Sequence, residues 1–136
     1  MGAPILTAER NRPLSPHLQV YRLPLNAITS ITHRLTGLLL ALGLVGVVVL
    51  LVTAAAGSQA YAVAYDVLAT WPAQLLLVLF TLALYYHLCA GVRHLFWDAG
   101  VGFSLRAART GSWALIGAAI VLTVLTWALV YAGSGG

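Results

Sequence analysis

The chain has 136 residues, of which 61% are hydrophobic and 7% are charged, with a formal net charge of +4 and a mean hydropathy of +0.94. This composition excludes an ordinary soluble domain, in which about 25% of the residues are charged, and indicates an integral membrane protein. A chain of this length leaves no room for a soluble catalytic domain beside its apolar segments, so we expect its function to lie in or beside the bilayer.

The first 28 residues form a segment distinct from the rest, because they carry four of the five prolines of the chain. Proline fixes φ and removes a backbone donor, so we predict an extended or briefly helical arm on the cytoplasmic membrane surface, suited to docking a soluble partner. We expect no cleavable signal, because the first apolar run is too long for the hydrophobic region of a signal peptide.

Three uncharged apolar runs follow, at residues 35–57, 71–92 and 112–131. Each reaches the roughly 20 residues that a helix needs to cross about 30 Å of hydrocarbon. We therefore predict an all-α integral membrane protein that forms a single membrane-anchor domain over residues 1–136. Its three transmembrane helices are expected at about 29–57, 68–98 and 110–132, and residues 58–70 are expected to include a loop.

The arginines predict the orientation of these helices. All seven lie before the first run or between the second and the third, whereas Asp66 is the one charged residue of the segment 58–70. Basic loops stay on the cytoplasmic side, so the N-terminus is expected in the cytoplasm and the C-terminus in the periplasm of a bacterial inner membrane. This placement accounts for the basic charge without a nucleic-acid partner.

His87 lies inside the uncharged second run, where an ionisable side chain usually marks function. Gly91, His94 and Asp98 return to the same helical face at about 100° per residue. An imidazole with a glycine one turn away suits a haem lying flat against the backbone, while a proton relay or a helix-packing hydrogen bond are the alternatives. We expect Asp98 to pair with His94 or Arg93 in a structural role.

A second polar cluster, formed by Ser30, His33 and Arg34, marks the start of the first helix. Their spacing of three and four residues directs the side chains towards one volume. A hydroxyl and a guanidinium at the membrane interface are suitable donors for quinone carbonyls or haem propionates, although Arg34 could equally reach lipid phosphates. A haem with two histidine ligands would need its second ligand from another subunit, because His87 is the only histidine at depth.

Two longer motifs contain these residues. Residues 12–21 read RPLSPHLQVY and are followed by Ser30 to Gly37, which fits SxxHRxTG, while His87 to Asp98 fits HxxxGxRHLxxD. In these motifs the chain resembles the cytochrome b556 membrane-anchor subunits of succinate dehydrogenase, respiratory complex II. The resemblance covers about a quarter to a third of the chain, with every fixed position of the second motif present.

The resemblance implies a role for each matching residue. His87 would be the axial ligand of haem b, with Gly91 clearing space for the porphyrin and His33, Arg93 and His94 near the propionates, whereas Ser30 and Arg34 would bind ubiquinone. The implied partners are a flavoprotein, an iron-sulfur protein contacted by the proline-rich arm, and a second small anchor that shares the haem. Succinate would be oxidised in a partner, not in this chain. The competing interpretation is a haem-free structural anchor of a membrane dehydrogenase or fumarate reductase.

Overall fold

The computed structural model describes residues 22–134, which form four α-helices and no strand. The helices are α1 (Leu25–Ala56), α2 (Ser58–Leu68), α3 (Trp71–Asp98) and α4 (Leu105–Ser134). Helices α1, α3 and α4 are long and apolar enough to cross a membrane. The predicted all-α fold with three spans is confirmed, and the chain is a multi-pass membrane protein. The orientation of its termini stays a prediction from the arginine placement.

Helix α2 was not expected, because residues 58–70 were assigned largely to a loop. Its sequence contains no proline or glycine and is rich in alanine, which favours a helix. Gly57, with a φ of +115°, separates it from α1. Helix α3 starts at Trp71 instead of residue 68, because Thr70 is extended and Pro72 lies in the first helical turn, where its missing donor costs nothing.

Helix α3 lies at the centre of the fold, with α1 packed on one side and α4 on the other. Except for Leu115, the side chains buried between helices are small or polar. In residues 22–133 they are Ala90, Ala108, Leu115 and Ala119 together with Thr29, Thr36, Arg93, Ser112 and Thr123. Most large aliphatic side chains instead face outwards. This distribution is expected where lipid supplies the apolar surroundings and small residues let helices approach closely.

Hydrogen bonds between side chains link α3 to α4 along their length. The Tyr85 and Thr126 hydroxyls lie 2.8 Å apart, and Trp127 Nε1 donates to Thr81 Oγ1 at 3.4 Å. Nearer the start of α3, Tyr131 Oη donates to Gln74 Oε1 at 3.4 Å. Polar pairs of this kind hold membrane helices together in register because hydrocarbon offers them no competing partners.

Gly43 of α1 lies directly against the ring of Phe80 of α3. A Cβ added at Gly43 would overlap that ring, whereas a Cβ added at Gly46, three residues later, meets nothing within 4 Å. The first glycine is therefore required by the packing, and the second is not.

We expect Gly43→Ala to lower the free energy of unfolding by about 1–3 kcal/mol, because the new methyl group forces Phe80 or the helices to move. Gly46→Ala is the matched control and should leave stability unchanged or slightly raised, since alanine favours a helix. Thermal unfolding of the purified protein in detergent, followed by circular dichroism, measures both. Equal melting temperatures for the two variants would contradict the close approach at Gly43.

Candidate functional site

Three histidines converge between α1 and α3. The His33 ring on α1 lies 4.2 Å from the His87 ring and 4.9 Å from the His94 ring, measured between centroids. His87, Gly91 and His94 occupy one face of α3, as their spacing predicted. Gly91 lies beside the His33 ring, since a Cβ added there would be in ordinary van der Waals contact with His33 Nε2 at 4.0 Å. We call His33, His87 and His94 the histidine cluster.

The backbone of α1 orients the His87 ring. Its Nδ1 lies 3.1 Å from the carbonyl oxygen of His33 and 3.2 Å from the hydroxyl of Thr36. Because the Thr36 hydroxyl donates to that same carbonyl at 2.9 Å, Nδ1 is the atom that carries the proton and donates. Nε2 is then left with its lone pair, which is the arrangement that a metal-ligating histidine requires.

Gly37 supports the His87 ring from the α1 side. A Cβ added at Gly37 would lie 2.9 Å from His87 Cε1, closer than real Cβ contacts allow. Any larger residue would push the imidazole away from α1. Thr36 and Gly37 were not predicted as site residues, although they follow His33 by three and four positions and so share its face.

Each of the other two histidines has one buried ring nitrogen that makes no hydrogen bond within residues 22–134. His33 Nε2 and His94 Nδ1 are buried and have no hydrogen-bond partner within the part of the chain that the structure describes. An unpaired buried polar atom costs about 1–3 kcal/mol, so these two nitrogens favour a bound group that hydrogen-bonds to them. In the described residues no three His, Cys, Asp or Glu side chains are arranged to hold a bare metal ion.

Ser30 and Arg34 lie one turn apart on α1, on either side of His33 in the sequence. Ser30 is half-buried and Arg34 is exposed. Neither side chain makes a hydrogen bond or an ion pair with another residue of 22–134. A hydroxyl and a guanidinium are thus both free to bind a polar group that enters from the membrane interface.

Arg93 takes a different position from the histidines. Its side chain is 8% exposed and turns towards α4 and the start of α1, where NH1 donates to Ser112 Oγ at 2.7 Å and to Thr29 Oγ1 at 3.1 Å. Its guanidinium carbon lies 4.6 Å from the centre of the Trp97 ring. Its Nε and NH2 atoms are buried and have no partner among residues 22–134.

The structure does not support the predicted pairing of Asp98. This residue is exposed at the end of α3 and forms no ion pair within residues 22–134. The reason is that Arg93 is committed to hydroxyl groups on two other helices, while His94 packs against Trp97 at 5.2 Å between ring centroids. Ser112, which accepts a hydrogen bond from Arg93, was not predicted from the sequence, because a single serine in an apolar helix has no distinguishing pattern.

Comparison with known proteins places the chain in a family. A family model described as succinate dehydrogenase/fumarate reductase transmembrane subunit matches residues 8–126. The succinate dehydrogenase cytochrome b556 subunit of Paracoccus denitrificans is 52% identical over 116 residues, which cover 85% of this chain and 89% of that protein. The subunit of the same name in Rickettsia typhi is 38% identical, covering 85% and 90%. The succinate dehydrogenase cytochrome b560 subunit of Reclinomonas americana is 34% identical over 128 residues, covering 90% and 89%.

We expect Ser112→Ala to lower the free energy of unfolding by about 1–3 kcal/mol, because the buried Arg93 guanidinium loses its shortest hydrogen bond. Thr123→Val is the matched control on the same helix, since the buried Thr123 hydroxyl donates only to Ala119 O of its own helix at 2.7 Å. Chemical unfolding in detergent compares the two variants. A loss as large in Thr123→Val would mean that Arg93 plays no special part.

Proposed function

The chain belongs to the succinate dehydrogenase/fumarate reductase transmembrane subunit family, and from that premise we propose that it is the haem b-binding anchor of a succinate:quinone oxidoreductase. In this role it forms part of the ubiquinone site of the complex. The observation that carries the proposal is the His87 ring, whose Nδ1 is held by the His33 carbonyl so that Nε2 can ligate iron.

The residues around His87 fit haem b. Gly37 lets the His87 ring lie against α1, and Gly91 places no side chain on the adjoining face of α3. His33 Nε2 and His94 Nδ1, which are buried and unpaired within residues 22–134, would each donate to an acceptor of the bound group. Propionate carboxylates supply such acceptors, and charge-assisted hydrogen bonds to them are strong. The second axial ligand would come from the second small anchor subunit. When bound, haem b supplies a one-electron carrier within the bilayer.

Ser30 and Arg34 are the groups of this chain that would bind ubiquinone. The Ser30 hydroxyl donates a hydrogen bond to a quinone carbonyl, and the Arg34 guanidinium polarises it. Positive charge stabilises the negative charge that develops on the carbonyl oxygen during reduction. Arg34 would therefore favour reduction of the quinone as well as its binding. The position of Ser30 and Arg34 at the start of α1 sets the polar end of the quinone near the membrane surface.

The remaining chemistry belongs to partner subunits. Succinate is oxidised in the flavoprotein, and its electrons pass through the iron-sulfur protein to the quinone, which takes up two electrons and two protons. Residues 1–21 of the arm that would contact the iron-sulfur protein, including the motif at residues 12–21, lie outside the described residues. This chain contributes anchoring, quinone binding and one haem ligand.

We expect His87→Ala to abolish the α-band of b-type haem while the complex still assembles, because the axial ligand is removed. His94→Asn is the matched control and should retain the band, since His94 would bind only a propionate. A reduced minus oxidised optical spectrum of each purified complex measures this. Absence of the band from the intact wild-type complex would reject the cytochrome and favour a haem-free anchor.

We expect Arg34→Ala to lower succinate:quinone reductase turnover by about ten- to a hundred-fold, the cost of one charge-assisted hydrogen bond. Succinate oxidation with a soluble artificial acceptor should be unchanged, because that reaction does not use the membrane site. Arg106→Ala is the control, as Arg106 is an exposed arginine at the start of α4 and is not assigned to the quinone. Equal loss of both activities in Arg34→Ala would indicate failed assembly instead.

A further inference from the structure

We infer that Tyr86, Thr29 and Arg93 form a positioning unit that holds Ser30 in place for the quinone. The inference rests on the proposed function, because it concerns how Ser30 is presented to that ligand. Its basis is that two side chains of α3 converge on one residue of α1, Thr29, which directly precedes Ser30 in the chain.

Thr29 is fixed through both its backbone and its side chain. Tyr86 Oη donates to the Thr29 carbonyl oxygen at 2.9 Å, and Arg93 NH1 donates to Thr29 Oγ1 at 3.1 Å. The same hydroxyl donates to the Asn26 carbonyl oxygen at 3.0 Å, so its hydrogen and one of its lone pairs are both used. With a side chain only 1% exposed, Thr29 is among the most tightly enclosed residues of the described chain.

The two donors share one face of α3. Tyr86, Ala90 and Arg93 follow the i, i+4, i+7 spacing of a helical stripe, directly beside the stripe of His87, Gly91 and His94. Ala90 has no exposed surface, so the helices are in close contact at this point. One stripe therefore fixes Thr29 while its neighbour carries the haem ligand.

Helix α4 in turn holds Arg93. The Ser112 hydroxyl donates to the Ala108 carbonyl oxygen at 2.9 Å, which leaves its lone pairs to accept from Arg93. The ring of Trp97 covers the guanidinium on another side. A rigid connection thus runs from α4 through Arg93 to Thr29.

This connection matters because, within residues 22–134, few other side-chain hydrogen bonds hold the start of α1. Pro24, at the N-cap, provides no side-chain hydrogen bond to the free backbone donors of the first turn. Without Tyr86 and Arg93 the first turns would fray, and Ser30 would move with them. Displacement of a binding group by about 1 Å is enough to lose much of its effect.

The test uses variants that loosen Thr29 without touching Ser30. Thr29→Val removes the acceptor of Arg93 but keeps the shape of the side chain, and Thr29→Ser restores the hydroxyl. Tyr86→Phe removes the bond to the Thr29 backbone. Tyr85→Phe is the matched control, because it removes a tyrosine hydroxyl that bonds Thr126 of α4 instead. Ser30→Ala reports directly on the quinone contact.

The measurements are KM and kcat of the intact complex for a short-chain ubiquinone, with succinate as donor. We expect Thr29→Val and Tyr86→Phe each to raise the quinone KM about five-fold, as for the loss of one hydrogen bond. In Thr29→Ser and Tyr85→Phe the KM should stay within about two-fold of wild type. Succinate oxidation with a soluble acceptor and the haem α-band should be unchanged throughout, which separates positioning from misfolding.

Each other outcome would overturn the inference in a distinguishable way. If Ser30→Ala raises the quinone KM but Thr29→Val and Tyr86→Phe do not, the positioning unit is refuted while the proposed function stands. If Tyr85→Phe raises it as much as Tyr86→Phe, general helix packing is the cause. If Ser30→Ala itself has no effect, the assignment of Ser30 to the quinone fails, and with it any need to position that residue.

Discussion

A guanidinium buried among three apolar helices is the constraint on which the arrangement of this protein depends. A charged group buried between apolar helices needs partners from the protein, because its surroundings offer no others. Arg93 finds them in Ser112 of α4 and Thr29 of α1, at 2.7 and 3.1 Å. Since those two hydroxyls belong to different helices, the hydrogen bonds of one guanidinium nitrogen link α1, α3 and α4. Hydrophobic burial cannot do this in lipid, where an exposed leucine is as well solvated as a buried one.

Two adjacent stripes of α3 make different contacts at the site. The stripe of His87, Gly91 and His94 meets His33 of α1 and carries the chemistry that we propose for haem. The stripe of Tyr86, Ala90 and Arg93 meets Thr29 and Ser112 and fixes the helices. Because both stripes lie on one helix, the position of His87 relative to the start of α1 is fixed. Helix α4 takes part through Ser112, which accepts a hydrogen bond from Arg93.

In the histidine cluster, the backbone and the side chain of His33 have different surroundings. The carbonyl oxygen of His33 orients the His87 ring. The ring nitrogen Nε2 of His33 is buried and has no hydrogen-bond partner within residues 22–134. A replacement of the His33 ring would leave the carbonyl in place. The orientation of His87 is therefore built into the backbone of α1 and supported by Thr36 and Gly37.

The sequence by itself determined the membrane class, the three spans and the face that His87, Gly91 and His94 share. These features follow from hydropathy and from the angle of about 100° per residue, which act within one helix and need no knowledge of its neighbours. The motifs around Ser30, Arg34 and His87 also identified the family. Helix α2 was missed because a short amphipathic segment beside a long apolar run has no strong signal of its own.

Only the tertiary structure decided which atoms meet between helices. That His87 Nδ1 faces the His33 carbonyl, that Arg93 turns to Ser112 and leaves Asp98 unpaired within residues 22–134, and that Gly43 is needed while Gly46 is not, all depend on how helices rotate and approach. A helical pattern fixes the face on which a side chain lies, but not the partner that the face will meet. That choice is made by the packing of small residues and by the demand of each buried polar group for a partner.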